Sequence, residues 1–160
     1  MNNRLLNSIQ LMTLLVISAN SVPARSHNPI ISSNSPFRAP LLRRIDKVEL
    51  LSIYSRMGNI ERVDATKLVV GQEAREFAMV WRRQRFQGYS PTACHQPPYA
   101  IKFYFRGKVV LFATICWTCD NVTFIVPHRK AWVAFVSDSR EAVRLKEMFQ
   151  KAFPSDRKVG

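Results

Sequence analysis

The middle of the chain alternates apolar and polar side chains, a pattern typical of β-strands. Residues 99–105 and 109–117 flank the turn sequence Arg106-Gly107-Lys108, so together they predict a β-hairpin. A three-residue loop with Gly107 in the left-handed conformation pairs Phe103 with Val109, whereas a two-residue loop would scatter the apolar side chains over both faces. We therefore expect the three-residue loop, which collects one apolar face from Ile101, Phe103, Val109, Leu111, Ala113, Ile115 and Trp117.

Shorter runs of strand-forming residues surround this hairpin, at 48–54, 65–70, 122–126 and 132–136. Two other segments repeat apolar residues with helical spacing. The first is 72–86, with a stripe of Ala74, Phe77, Ala78 and Trp81. The second begins with a capping box, Asp138 followed three residues later by Glu141, and stops at Pro154; its stripe is Leu145, Met148, Phe149 and Ala152. These patterns predict an α+β fold with a mostly antiparallel sheet of four or five strands and two packed helices.

The first 24 residues have the order of a secretory signal peptide. A cationic start at Arg4 precedes the apolar block 11–19, and small residues allow cleavage after Ser21 or Ala24. The block is about half as long as a membrane-spanning helix. We therefore expect an exported protein, periplasmic or extracellular, without a transmembrane anchor after cleavage. Residues 25–44 are rich in proline and serine and predict a flexible linker, followed by a single domain at 45–154 and a tail at 155–160.

The charge of the chain is strongly unbalanced. Lysine and arginine number 24 against 11 acidic residues, which gives a net charge of +13, and sixteen of the basic residues are arginine. Such an excess is typical of proteins that meet a polyanion, here cell-envelope polysaccharide, anionic lipid or nucleic acid, although it also serves solubility. Helix phase and turn positions suggest an anion-binding set of Arg75, Arg82, Arg83, Arg106, Lys108, Arg129 and Lys130.

The three cysteines are the residues most able to carry chemistry. Cys94 precedes His95, and Cys116 and Cys119 form a CxxC sequence at a predicted turn between strands. In an oxidising compartment we expect a structural disulfide from Cys94 to one member of the CxxC, with all three sulfurs in one neighbourhood. The alternatives are a zinc site made of Cys94, His95, Cys116 and Cys119, and a redox-active CxxC. Redox enzymes place the CxxC where a strand enters a helix, whereas a strand follows it here.

Motifs of common enzyme classes do not occur: the chain has no glycine-rich phosphate loop, Gly-x-Ser-x-Gly or His-Glu-x-x-His sequence. The sequence therefore leans away from an enzyme. We expect an exported basic binding or accessory protein with a structural cysteine cluster, and no cofactor unless the zinc alternative holds.

Three short motifs resemble a family of small exported bacterial proteins. They are the Trp81-Arg82-x-Gln84 helix, the Cys94-His95-x-Pro97-x-Tyr99 segment and the Cys116-Trp117-x-Cys119-Asp120-Asn121 turn, where the family usually has asparagine in place of Asp120. The resemblance spans roughly residues 48–154. It implies that the cysteine cluster and the hairpin belong to one shared core, and it implies no activity, because none is assigned to that family.

Overall fold

A computed structural model describes residues 40–56, 59–89, 94–126 and 129–155. Within these ranges seven strands form one antiparallel open sheet, and two helices pack against it. The strands are β1 Lys47–Arg56, β2 Asn59–Val70, β3 Phe86–Tyr89, β4 Tyr99–Phe105, β5 Lys108–Cys116, β6 Asn121–Val126 and β7 Arg129–Phe135. The helices are α1 Gly71–Arg82 and α2 Arg140–Ala152, and a 3-10 turn spans Pro40–Arg44. The predicted signal peptide lies outside the described residues.

The strand order is β2-β1-β4-β5-β6-β7-β3. The α+β fold is confirmed, and the sheet has seven strands where four or five were expected. The sequence patterns predict no strand at β3, and they place its first residue, Phe86, at the end of the first helix. That helix stops at Arg82, and Phe86 pairs with Phe135 of β7. Pairing at the sheet edge satisfies the backbone of β3 and places the Phe86 ring against Trp81, so tertiary packing overrides the local helical pattern.

The β4–β5 hairpin differs from the predicted register. Arg106 and Gly107 form a two-residue turn with φ angles of 50° and 73°, the type I′ geometry that suits twisted strands. Phe105 therefore faces Lys108, and a bulge at Val110 then brings Leu111 opposite Phe103. Because the bulge restores the alternation, Ile101, Phe103, Leu111, Ala113 and Ile115 still share the core face as predicted, while Val109 is half exposed.

The core lies between one face of the sheet and the two helices. Trp81 of α1 is completely buried, and its ring contacts those of Phe103 and Phe124 at centroid distances of 5.6 and 5.9 Å. Phe149 of α2 stacks on Tyr99 at 4.8 Å. Both predicted helical stripes therefore face the sheet, and these aromatic contacts fix the helices upon it.

The start of α2 corrects one prediction. Ser139, not Asp138, is the N-cap, and its hydroxyl oxygen accepts the backbone N–H of Ala142 at 3.2 Å. Ser139 is buried and Asp138 is exposed. The serine is therefore the residue within reach of the first free amides of the helix.

The opposite face of the sheet is crossed by residues 94–98, which we call the strap. Strand β3 lies at the edge beside β7, while β4 lies on the far side of β5, β6 and β7. The described end of the connection between β3 and β4, residues 94–98, lies against the sheet on this face. In the part of the chain that the structure describes, neither helix is long and apolar enough to cross a membrane.

Candidate functional site

The strap is held to the sheet covalently and by backbone contacts. Cys94 forms a disulfide with Cys119 in the β5–β6 turn, with a Cα–Cα distance of 5.9 Å. Further along, the Ser55 hydroxyl donates to the Pro97 carbonyl at 2.9 Å, and the Ile53 N–H donates to the Pro98 carbonyl at the same distance. The predicted bridge between Cys94 and a member of the CxxC is thereby confirmed.

His95 fills the space between the strap and the sheet. Its side chain is almost fully buried, and its Nε2 lies 2.8 Å from Thr114 Oγ1 and 2.9 Å from Thr123 Oγ1. These threonines face each other across β5 and β6. On the other side of the ring, Nδ1 is hydrogen-bonded to Asn121 Oδ1. Because the Asn121 amide nitrogen donates to the Cys94 carbonyl, its oxygen is left to accept from Nδ1–H. In the neutral imidazole, Nε2 then has one lone pair, which accepts from a threonine hydroxyl.

The electrostatics of the site agree with that assignment. Burial is the main cause that lowers the pKa of His95, and the charge of Lys130 lowers it further, while the hydrogen bond with Asn121 works in the opposite direction. A neutral ring with both nitrogens engaged is a packing residue that joins the strap to two strands. It leaves no free nitrogen to act as a base for Cys116 or as a metal ligand.

Cys116 is the free cysteine beside this disulfide, and it is buried. Its sulfur is hydrogen-bonded to the backbone amides of Gln96 in the strap and of Thr118 and Cys119 in the turn. Burial nevertheless raises the pKa of the Cys116 thiol, so the reactive thiolate is disfavoured at neutral pH. Cys116 is buried but is not part of the core cluster beneath the helices, which agrees with the strand phase predicted from the sequence.

The arrangement does not fit the zinc alternative. Cys94 and Cys119 are bonded to each other, and both nitrogens of His95 have partners on the sheet. Across the described ranges, no group of three or more histidine, cysteine, aspartate or glutamate residues is placed to hold a metal ion. The Cys94–Cys119 disulfide of this cluster is a structural link that joins the strap to the β5–β6 turn.

The predicted anion-binding residues fall at two ends of the sheet. Helix α1 starts beside the β4–β5 end, because Val70 just before it pairs with Lys47, which in turn pairs with Tyr104. It runs for 12 residues, about 18 Å, and the chain just after it reaches the β5–β6 turn, where Val136 donates to Arg85 and Phe135 donates to Asp120. Arg82 and Arg83 therefore lie at one end, and Arg106 and Lys108 lie at the other. Lys130 lies near the β6–β7 turn and donates to Asn59. Arg75 is exposed in the first half of α1 and contacts Gln72. The side chain of Arg129 is outside the described set.

The β4–β5 end carries a group of four cations, which we call the turn-end cations: Arg44, Lys47, Arg106 and Lys108. The first three are held against aromatic rings. The guanidinium carbons of Arg44 and Arg106 lie 5.7 and 5.1 Å from the centroid of the Phe105 ring. The Lys47 ammonium lies 4.1 Å from the centroid of the Tyr104 ring. Sequence reasoning missed Arg44 because it assigned that residue to the linker, and only the fold brings it to Phe105.

A carboxylate fixes the aromatic ring beneath Lys47. Glu49 accepts hydrogen bonds from the Tyr104 hydroxyl and from the Lys102 ammonium, the latter at 3.1 Å. Burial and the bond to Glu49 raise the pKa of Tyr104 to about 12. The hydroxyl therefore stays protonated, and the ring is anchored in the position from which it contacts Lys47.

No family model, curated protein or solved structure matches this chain. The resemblance to a family of small exported bacterial proteins stays a prediction.

Proposed function

We propose that this protein is an exported binding protein that contacts an anionic polymer through the turn-end cations. The observation that carries the proposal is the pair of guanidiniums, Arg44 and Arg106, gathered on the single ring of Phe105. In the described part of the chain, the salt bridges use other cations, namely Arg62, Lys67, Lys102 and Arg144. Arg44, Lys47 and Arg106 are held against aromatic rings, and none of the three forms one of these salt bridges.

Such an arrangement favours repeated anionic groups. A guanidinium held against a ring keeps its N–H edge for phosphate, sulfate or carboxylate, which it can bind with two hydrogen bonds. Because the rings restrict the side chains beforehand, less conformational entropy is lost on binding. Asp46 accepts the backbone N–H of Arg106, which leaves the guanidinium of that residue on the ring. The net charge of +13 adds a long-range attraction for any polyanion.

The residues that could instead carry chemistry have structural roles. His95 is enclosed by the strap and by two threonines, and Cys119 is bonded to Cys94. The buried thiol of Cys116 has a raised pKa, which disfavours a nucleophile. Binding is therefore better supported than catalysis.

The test compares two double variants that remove the same charge from opposite ends of the sheet. Arg44→Gln/Arg106→Gln removes the guanidiniums on Phe105, and Arg82→Gln/Arg83→Gln is the matched control. Binding to heparin, duplex DNA and vesicles containing anionic lipid is measured across a salt series, so that the three arms identify the class of polymer.

We expect binding to weaken steeply with added salt. The slope of log affinity against log salt should fall by about 2 in the turn-end variant, since roughly one counterion is released per contact. The control should keep the wild-type slope. Equal losses of affinity in both variants would mean that binding depends on net charge alone and not on the turn-end cations. Binding that is absent, or that does not change with salt, would refute the proposal.

A further inference from the structure

The third thiol lies between the two chain segments that the disulfide joins. The sulfur of Cys116 is hydrogen-bonded to the amide of Gln96 on the strap and to the amides of Thr118 and Cys119 on the turn. Directly across the β5–β6 ladder is Asn121, whose side chain donates to the carbonyl of Cys94 at 2.8 Å. The free thiol therefore lies beside the backbone of Cys119, and its neighbour across the ladder, Asn121, is bonded to the backbone of Cys94.

We propose that Cys116 can replace Cys94 as the partner of Cys119, which gives the strap two covalent states. In this exchange the Cys116 thiolate attacks the Cys119 sulfur, and a Cys116–Cys119 bond forms as the Cys94–Cys119 bond breaks. Cys94 leaves as a thiolate and takes up the proton that Cys116 lost. The numbers of thiols and disulfides are unchanged, so the step consumes neither oxidant nor reductant.

The two states differ in how the strap is held. In the closed state the disulfide fixes the strap at Cys94, while His95 and the Ser55–Pro97 hydrogen bond fix it further along. In the open state the bond spans only the CxxC turn, and the strap keeps its noncovalent contacts alone. Opening therefore weakens the segment that covers the helix-free face of the sheet, and it produces a thiol at the exposed residue Cys94.

The burial of Cys116 determines when exchange occurs. The thiolate is the attacking form, and burial raises the pKa of this thiol, so the closed state persists at neutral pH. At pH values below that pKa, each unit by which the pH rises increases the thiolate fraction about tenfold. Exchange in the folded protein should accelerate accordingly as the solution becomes alkaline.

Trypsin separates the two states cleanly. Cleavage after Arg85 and Lys102 places Cys94 in peptide 86–102, and cleavage after Lys108 and Arg129 places Cys116 and Cys119 together in peptide 109–129. The folded protein is incubated without reductant at pH 7, 8 and 9 in the presence of iodoacetamide, then acidified, digested and analysed by mass spectrometry. In the closed state the two peptides are linked. In the open state they are separate, with the alkyl group on Cys94.

We expect alkylated Cys94 to accumulate about tenfold faster for each pH unit. Cys116→Ser should abolish it, and Cys116→Ala serves the same purpose if the serine variant does not fold. Near-UV circular dichroism of the Trp81 core, recorded during incubation, checks that the chain stays folded.

Four results with the wild-type protein would overturn the proposal. They are alkylation confined to Cys116 in linked peptides, a Cys94–Cys116 bond with alkylated Cys119, no alkylation at any pH, and exchange seen only in denaturing urea. Alkylation of Cys94 that persists in the Cys116 variants would also do so, because another nucleophile would then have opened the bond.

Discussion

Removing the Cys94–Cys119 bond should destabilise the fold by an amount that depends on the length of the loop it closes. The bond joins residues separated by 25 positions, and the chain-entropy relation gives about 3.5 kcal/mol for closing a loop of that length. Cys94 is exposed and Cys119 is partly exposed, so replacing both by alanine loses little buried surface. The loop entropy of the unfolded chain therefore dominates the expected change.

A fair measurement must prevent Cys116 from forming a substitute bond. We would compare Cys116→Ala with the triple variant Cys94→Ala/Cys116→Ala/Cys119→Ala. Both are unfolded with urea in the absence of reductant, and unfolding is monitored by circular dichroism. The expected difference in the free energy of unfolding is about 3.5 kcal/mol, with a melting temperature lower by roughly 15 °C for a domain of this size. Reducing the bond in the Cys116→Ala protein should give the same loss.

The comparison also has a clear negative outcome. A difference below about 1 kcal/mol would mean that the bond hardly restricts the unfolded chain, contrary to the loop-entropy reasoning. A large loss in the triple variant without a matching loss on reduction would place the effect in the side chains and not in the bond.

Two further predictions concern His95 and the start of α2. Burial holds the pKa of His95 below its usual 6.5, so on acidification the unfolded chain takes up a proton at His95 before the folded protein does. The free energy of unfolding should therefore fall as the pH drops below about 6.5. The slope is at most about 1.4 kcal/mol per pH unit, and it ends where the folded protein also binds the proton. His95→Gln should lose that slope between pH 7.5 and 5 in urea titrations, and identical slopes would refute the assignment of a neutral ring. Ser139→Ala should cost about 1 kcal/mol in the same assay, because the Ala142 amide loses its cap, whereas Asp138→Ala should change stability by less than about 0.5 kcal/mol; a larger effect at Asp138 would restore the predicted capping box.

Much of the fold could be predicted from local patterns. The stripe of Ala74, Phe77 and Trp81 correctly predicted the buried face of α1, because side chains three and four residues apart share one face of a helix whatever surrounds it. The alternation through Ile101 and Phe103 predicted the core face of β4 for the equivalent reason. The sequence also favoured a disulfide from Cys94 to one member of the CxxC over the zinc and redox alternatives, and the structure assigns Cys119 as the partner.

The errors arose where local preferences compete. Residues 83–86 continue a helical periodicity, but the edge of β7 offers Phe86 a backbone partner and a place in the core. At Arg106-Gly107, two turns were compatible with the sequence, and the bulge at Val110 removed the objection to the shorter one. A bulge of this kind depends on how the whole strand packs, which the turn residues do not report.

The sequence by itself determined the helices, most of the strands and the strongly basic charge, because each of these depends on composition or on close neighbours. Only the tertiary structure decided the order of the strands, and that order makes the strap cross the sheet and buries His95 against Thr114 and Thr123. It also sent the cations of α1 and of the β4–β5 turn to opposite ends and brought Arg44 onto Phe105. These features join residues far apart in the chain, and their positions follow from which surfaces pack together, a choice that no short stretch of sequence contains.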